Sequence, residues 1–206
     1  MKLLFAPDSF SDFDSSPGII ARSAPLFEAH GIELRGLPMA DGGEGTTLVL
    51  LNQLKAQTSG HAVHGPLGAE VHVPVVSLTG GHFVEAARAV GRTLLRGEQP
   101  GWKGSSLGLG EILSAMDMAH DEGPLIVGLG GSACFDGGLG LAQGLGLHAL
   151  NQSGERLPLL SGADALLDVH ELVGDAPLED RLVCGWIDVQ STLTEAPALF
   201  GSDKGF

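Results

Sequence analysis

Tyrosine is absent from this 206-residue chain, and tryptophan and cysteine occur only twice each. So few aromatic rings leave little to stack on nucleic-acid bases. Cys134 and Cys184 are isolated, without CxxC spacing. That points away from a disulfide framework or a cysteine zinc centre and towards free thiols in a reducing compartment. Positive charge is also scarce: 11 Lys and Arg face 25 Asp and Glu, for a net charge of −14. This balance argues against nucleic acid and anionic membranes as partners, because both attract clustered basic side chains. It leaves small anions open, since a local cation, backbone N–H groups or a bound Mg²⁺ can neutralise phosphate within an acidic protein. Nothing in the chain approaches the ~20 apolar residues of a membrane span. Residues 1–6 are too short, and too soon followed by Asp8, for a signal peptide. A cytoplasmic location is expected.

Glycine is what the chain has in excess, at 32 of 206 residues, about twice the usual frequency. The glycines fall at turns and in motifs, without a collagen-like period. One motif, Gly128-Leu-Gly-Gly-Ser-Ala-Cys-Phe-Asp-Gly-Gly138, follows the apolar run Leu125-Ile-Val127 and precedes a Leu/Ala-rich segment, residues 139–150. That order predicts strand, glycine turn, helix, a place where backbone N–H groups can approach an anion. Ser132 and Asp136 add a hydroxyl and a carboxylate there. A plain tight turn without a ligand is the alternative.

Upstream, Lys2-Leu-Leu-Phe-Ala6 predicts a buried strand that delivers Asp8 and Ser9 to its carboxyl end. Residues 17–30 predict a helix, with Pro17 suited to its first turn and Pro25 set to kink or end it. Residues 33–37 predict a second strand, followed by Pro38-Met-Ala-Asp-Gly-Gly-Glu-Gly-Thr46 and a helix over 46–57. This βαβα pattern indicates an α/β fold. Residues 61–76 alternate around Gly65-Pro-Leu-Gly68 and predict a hairpin. Its His61, His64 and His72 read as strand residues rather than metal ligands. A strand over 82–86 with Glu85 near its end, a helix over 111–121 capped by Ser105 or Ser106, and an apolar strand over 182–187 ending in Asp188 complete the pattern.

Several chemistries are disfavoured by spacing. The motif at 128–138 lacks the Gly-Lys-Ser/Thr ending of a Walker A loop, and it lies too deep in the chain for a dinucleotide fingerprint. Ser132 is not in a G-x-S-x-G elbow. What remains is acids and hydroxyls at strand ends: Asp8, Ser9, Asp41, Glu44, Ser132, Asp136 and Asp188. Phosphoryl transfer uses such parts, with a carboxylate to take a hydroxyl proton, carboxylates for Mg²⁺ and glycine backbone for phosphate oxygens.

Taken together, Ala6-Pro-Asp-Ser-Phe10, Asp41-Gly-Gly-Glu-Gly-Thr46, Gly65-Pro-Leu-Gly68, Ser105-Ser-Leu-Gly-Leu-Gly-Glu111, Gly128-Leu-Gly-Gly-Ser-Ala133, Asp136-Gly-Gly138, Asp188-Val189 and Phe200-Gly201 with Lys204-Gly205 resemble the type I glycerate kinase family. The resemblance implies two α/β domains with the active site between them. Residues 1–60 would be the N-terminal part of a flavodoxin-like domain, incomplete here, and residues 61–206 an inserted α/β domain. It also implies ATP- and Mg²⁺-dependent phosphorylation of a hydroxyl of D-glycerate. Asp188 and Asp41 are the expected catalytic pair, and Asp8, Ser9, Gly42, Gly43, Glu44, Ser106, Gly130, Gly131, Ser132 and Asp136 the expected substrate and nucleotide contacts. Members of the family are longer and carry Lys where this chain has Ser11, Thr-Asn where it has Cys134-Phe135, and Asn-Pro where it has Ser191-Thr192. The lost polar positions and the shorter length imply, as the alternative, a catalytically inactive truncated remnant or binding subunit that keeps an anion-binding cleft; a dimer or a complementing C-terminal chain is the further expectation for a half-enzyme.

Overall fold

The computed structural model describes residues 1–10, 13–118, 123–175, 178, 180–192 and 194–202. It is an α/β fold. Strand β1 (Lys2–Phe5) runs parallel to β2 (Glu33–Gly36), connected by helix α1 (Ser16–Glu28). Parallel strands need such a crossover, and the helix packs back on the pair; Phe27 of α1 meets Phe5 of β1 at a ring-centroid distance of 6.0 Å. The Ser15 side chain accepts the Gly18 N–H and starts α1. The helix runs past Pro25 instead of ending there, because the Pro25 carbonyl still accepts the Ala29 N–H at 3.1 Å.

Helix α2 (Thr46–Leu54) is shorter than its apolar spacing predicts, since Lys55 turns left-handed at φ 49°. Strand β3 (Gln57–His64) then crosses residue 60 and pairs antiparallel with β4 (Glu70–Leu78) around the Gly65-Pro-Leu-Gly68 turn. Strand β5 (Gly81–Glu85) is buried throughout and leads straight into α3 (Ala86–Val90). Helix α4 (Leu107–Met118) precedes β6 (Leu125–Gly128), and α5 (Leu139–Gly144) follows the glycine loop. The helix expected over 139–150 stops at Gly144, because Gly146 adopts φ 103° and the chain enters β7 (His148–Leu150). β7 pairs with β8 (Glu171–Val173) in a separate two-stranded sheet. Strand β9 (Val183–Trp186) and helix α6 (Ala196–Phe200) end the described chain.

The main sheet has the order β3-β4-β5-β6-β9, with β5, β6 and β9 mutually parallel. Val73, Val75, Val84 and Leu125 of the sheet pack with Ile112, Leu113 and Met116 of α4 in one apolar core. Parallel strands are normally covered on both faces, and β5 and β6 obey this. Strand β9 does not: it pairs with β6 on one side, and all four of its residues are exposed. Among the described residues no helix is long and apolar enough to cross a membrane.

Candidate active site

The parallel strands β5, β6 and β9 end at one level, and the two glycine motifs meet there. A side chain on Gly128 would fall on the Gly42 carbonyl oxygen, and one on Gly130 would come within 2.7 Å of the Gly43 Cα. Gly42 itself, at φ 95°, lies against Trp186, the last residue of β9. Only residues without a Cβ permit this backbone-on-backbone contact. The Trp186 carbonyl also accepts the Leu129 N–H at 3.0 Å, fastening the glycine loop to the end of β9.

The loop from Asp41 to Thr46 is held from within and from outside. Asp41 Oδ1 accepts the Gly43 N–H at 2.8 Å, and Thr46 Oγ1 donates to the Gly43 carbonyl while accepting the Gly42 N–H. From β5, the fully buried Glu85 accepts the Gly45 N–H at 3.0 Å and the Thr47 N–H at 2.7 Å. These N–H groups at the start of α2 lack partners in their own helix, and the carboxylate complements the helix dipole. Arg88 lies 3.5 Å from Glu85 and supplies the countercharge. The signal for Glu85 is an acid closing the strand Gly81-His-Phe-Val-Glu85.

Asp136 and Ser106 form a second hub, beneath the surface. Asp136 Oδ2 accepts the Ser106 N–H, the Ser106 hydroxyl and the Gly140 N–H, and Oδ1 accepts the Gly138 N–H. Ser106 Oγ in turn accepts the Leu141 N–H at 2.8 Å. The two residues are 2% and 6% exposed, and they tie the starts of α4 and α5 together. Ser106 therefore serves a partner helix as well as its own, while Ser105 Oγ accepts the Leu107 N–H at 3.3 Å.

A cavity of about 320 Å³ opens beside the glycine loop. Leu129, Gly130, Gly131 and Ser132 line it with Ile187, Asp188 and Val189 from the segment after β9, and with Arg92 and Phe200. The volume lies at the small end of ligand sites, roughly 300–1,000 Å³. Arg92 is a residue that the sequence pattern did not single out. Its N–H donates to the Gly131 carbonyl at 3.1 Å, and its neighbour Gly91 bridges Ser132. Phe200 arrives on α6, whose approach is set by a reciprocal pair. Thr192 donates its N–H and its hydroxyl to Glu195 Oε2 at 3.0 and 2.7 Å, and its Oγ1 accepts the Glu195 N–H at 3.3 Å. Thr-x-x-Glu is the spacing of a capping box. The hydroxyl bond from Thr192, reinforced by its N–H, holds the Glu195 carboxyl below its ordinary value.

Of the expected site residues, Gly130, Gly131, Ser132 and Asp188 line this cavity, and Asp41, Gly42, Gly43 and Glu44 form the loop packed on the glycine motif. Asp8 and Ser9 lie apart from its lining, at the end of β1, where Asp8 Oδ1 accepts the Ser9 N–H at 2.6 Å. The Pro7 carbonyl there accepts the Met39 N–H, which brings that strand end towards the Asp41 loop. Cys134 packs against the apolar core and is not part of the cavity lining. Ser11, Lys204 and Gly205 lie outside the described residues. His64 Nδ1 is 2.7 Å from Glu111 Oε1 and His61 Nε2 is 3.2 Å from Ser59 Oγ. Among the described residues no three His, Cys, Asp or Glu side chains gather as a metal cage. Mg²⁺ needs no such cage, since one or two carboxylates together with substrate phosphates commonly hold it. The exposed Asp41 and Asp188, on loops that adjoin through Gly42 and Trp186, fit that demand.

Comparison with known proteins gives one answer. The model of the glycerate kinase family matches residues 3–206. The chain is 34% identical to the glycerate kinase of Bacillus subtilis (strain 168), covering 100% of this chain and 56% of that protein. It is 30% identical to the glycerate 2-kinase of Escherichia coli (strain K12), with the same shares of 100% and 56%. A crystal structure of a protein assigned as glycerate kinase 2 from Salmonella typhimurium LT2 superposes with a TM-score of 0.76 at 28% identity, over 100% of this chain and 57% of that one. The chain thus spans just over half the length of these relatives.

Proposed function

Because the chain belongs to the glycerate kinase family, we propose that its cleft transfers the γ-phosphoryl group of ATP to a hydroxyl of D-glycerate, in the cytoplasm. The observation that carries this reading is the shared cavity: the side-chain-poor loop Gly130, Gly131, Ser132 and the carboxylate of Asp188 line one space. Glycine N–H groups suit phosphate oxygens, and a carboxylate within the same space suits a hydroxyl nucleophile.

In this reading Asp188 takes the proton of the attacking glycerate hydroxyl. The oxygen forms a bond to the γ-phosphorus, the bond from that phosphorus to the β-phosphate oxygen breaks, and ADP leaves. The Gly130–Ser132 backbone orients the phosphates, and Asp41 is the residue that would hold Mg²⁺. When bound, Mg²⁺ offsets the charge on the phosphate oxygens. Glu85, Asp136 and Ser106 act through position: buried and saturated with hydrogen bonds, they fix the loops that carry the contacts.

The exposed apolar strand β9 belongs to the same reading. Leu182 is 70% and Ile187 68% exposed at the two ends of that strand, and its outer edge has no strand partner among the described residues. We propose that this edge receives the C-terminal remainder of the family fold, on the same or a separate polypeptide. The test of the activity is ADP release by the purified chain that requires both ATP and D-glycerate and that Asp188→Asn abolishes. ADP release independent of D-glycerate contradicts the substrate assignment.

A further inference from the structure

We infer that Glu85 is a built-in anion that closes the start of α2 to phosphate and confines the ligand's oxyanions to the turn at Gly130 and Gly131; the inference rests on the proposed reading of that cavity. A helix start with free N–H groups is a seat for an anion, and the loop from Asp41 to Thr46 leads into one. The start of α2 is therefore a rival to the glycine turn. The two are neighbours, since a side chain on Gly131 would come 3.7 Å from Glu44 Cβ and 4.0 Å from the Glu44 nitrogen.

The rival seat is already taken. Glu85 pairs in register with Gly128, the first residue of one glycine motif, while its buried carboxylate reaches the other. Oε1 accepts the Gly45 N–H and Oε2 the Thr47 N–H, the two-oxygen pattern that a phosphate would present there. The Thr46 N–H between them goes to the Gly43 carbonyl at 3.2 Å. A phosphate at the start of α2 would therefore have to displace this carboxylate from its donors. The start of α5 is closed in the same way. The Asp136 carbonyl accepts the Leu139 N–H, Asp136 Oδ2 the Gly140 N–H and Ser106 Oγ the Leu141 N–H. Gly130 and Gly131 differ: they line the cavity, and their N–H groups have no acceptor among the described residues. Gly131 has φ 72°, and a left-handed residue in such a turn lets successive N–H groups converge on one anion. The Glu44 N–H beside Gly131 also lacks an acceptor among the described residues. The open donors thus reach the edge of the Asp41 loop and stop at Gly45, where Glu85 begins.

The test follows backbone amide resonances of the intact chain during titration with inorganic phosphate and, separately, with ATP. The Gly130 and Gly131 amides are expected to shift saturably while the Thr47 amide stays in place. In Glu85→Ala the vacated donors should take up inorganic phosphate, so that Thr47 shifts as well. Phosphate should then raise the thermal midpoint of the variant more than that of the parent, as binding to the folded state requires. A Thr47 amide that stays unmoved in Glu85→Ala overturns the inference, since Glu85 then steadies the loop without keeping an anion out. A Thr47 shift in the parent as large as that of Gly131 also overturns it and leaves the cleft reading standing. No shift at Gly130, Gly131 or Thr47 of the parent with either ligand overturns both. If Glu85→Ala fails to fold, the parent titration decides alone: movement at Gly131 without Thr47 sustains the inference, and movement at Thr47 overturns it.

Discussion

The carbonyl oxygen of Gly42 occupies the space that a side chain on Gly128 would need. Two loops 86 positions apart in sequence thereby meet backbone to backbone. Gly128→Ala must push them apart, and overpacking of this kind costs about 1–3 kcal/mol. Denaturant unfolding should report that loss. Ligand binding at the neighbouring Gly130–Ser132 turn should fall with it. A variant with parental stability and binding would mean that the loops yield without consequence.

Glu85 should matter for stability well beyond its own strand. Glu85→Ala leaves the Gly45 and Thr47 N–H groups without their acceptor, at an expected cost of about 2–4 kcal/mol. Glu85→Gln retains one acceptor oxygen and should cost less. Hydrogen exchange gives the local readout: the Gly45 and Thr47 amides should lose protection first in the Ala variant. Uniform loss across the chain would point to a global effect instead.

Asp136 and Ser106 were expected among the ligand contacts; since both are buried, we propose that they act by holding the loops in place. Ser106→Ala removes a hydroxyl that bonds both Asp136 and the Leu141 N–H. A stability loss of about 1–3 kcal/mol is expected, with ligand affinity changing only as far as folding does. A large rise in KM at unchanged stability would return Ser106 to direct contact.

Acid should loosen the segment that carries Phe200 to the cavity. The Glu195 carboxyl is held below its ordinary 4.5 by Thr192. A carboxyl depressed in the folded state contributes stability above its unfolded value, and that contribution is lost as pH falls through its folded value. The Thr192–Glu195 cap should therefore hold fully above pH 4.5 and open below it. Amide exchange at Thr192 and Glu195 between pH 3 and pH 6, roughly the range that spans a glutamate titration, measures this. Thr192→Val should flatten the response.

The exposed edge at β9 predicts association. A fragment carrying the part of Bacillus subtilis glycerate kinase that lies beyond this chain's 56% coverage should bind the chain in size-exclusion chromatography. Val183→Lys should prevent it, since a lysine on an edge strand blocks pairing. Self-association of the chain alone, lost in the same variant, would name a second copy as the occupant.

The glycine loops and their acids were legible in the sequence because the chemistry there is local: glycines mark backbone contact, and carboxylates at strand ends mark a cleft. Arg92 was not legible, because its position depends on Gly91 bridging Ser132 from 41 residues away. The burial of Asp136 was not legible either, because its four hydrogen bonds come from Ser106 just before α4, Gly138 just before α5 and Gly140 on α5. The Leu/Ala pattern over 139–150 suggested one helix, yet Gly144 and Gly146 divided it between α5 and β7. Thr192 and Glu195 did carry a readable sign, the Thr-x-x-Glu spacing that starts the approach to α6.

The most direct measurement is transfer of labelled γ-phosphate from ATP to D-glycerate by the purified chain, beside its Asp188→Asn variant. The account predicts labelled phosphoglycerate from the parent chain and a loss of about 10²–10⁴-fold in rate with the variant, the usual worth of a general base. Absence of labelled phosphoglycerate from the parent, or equal rates for both proteins, would contradict it.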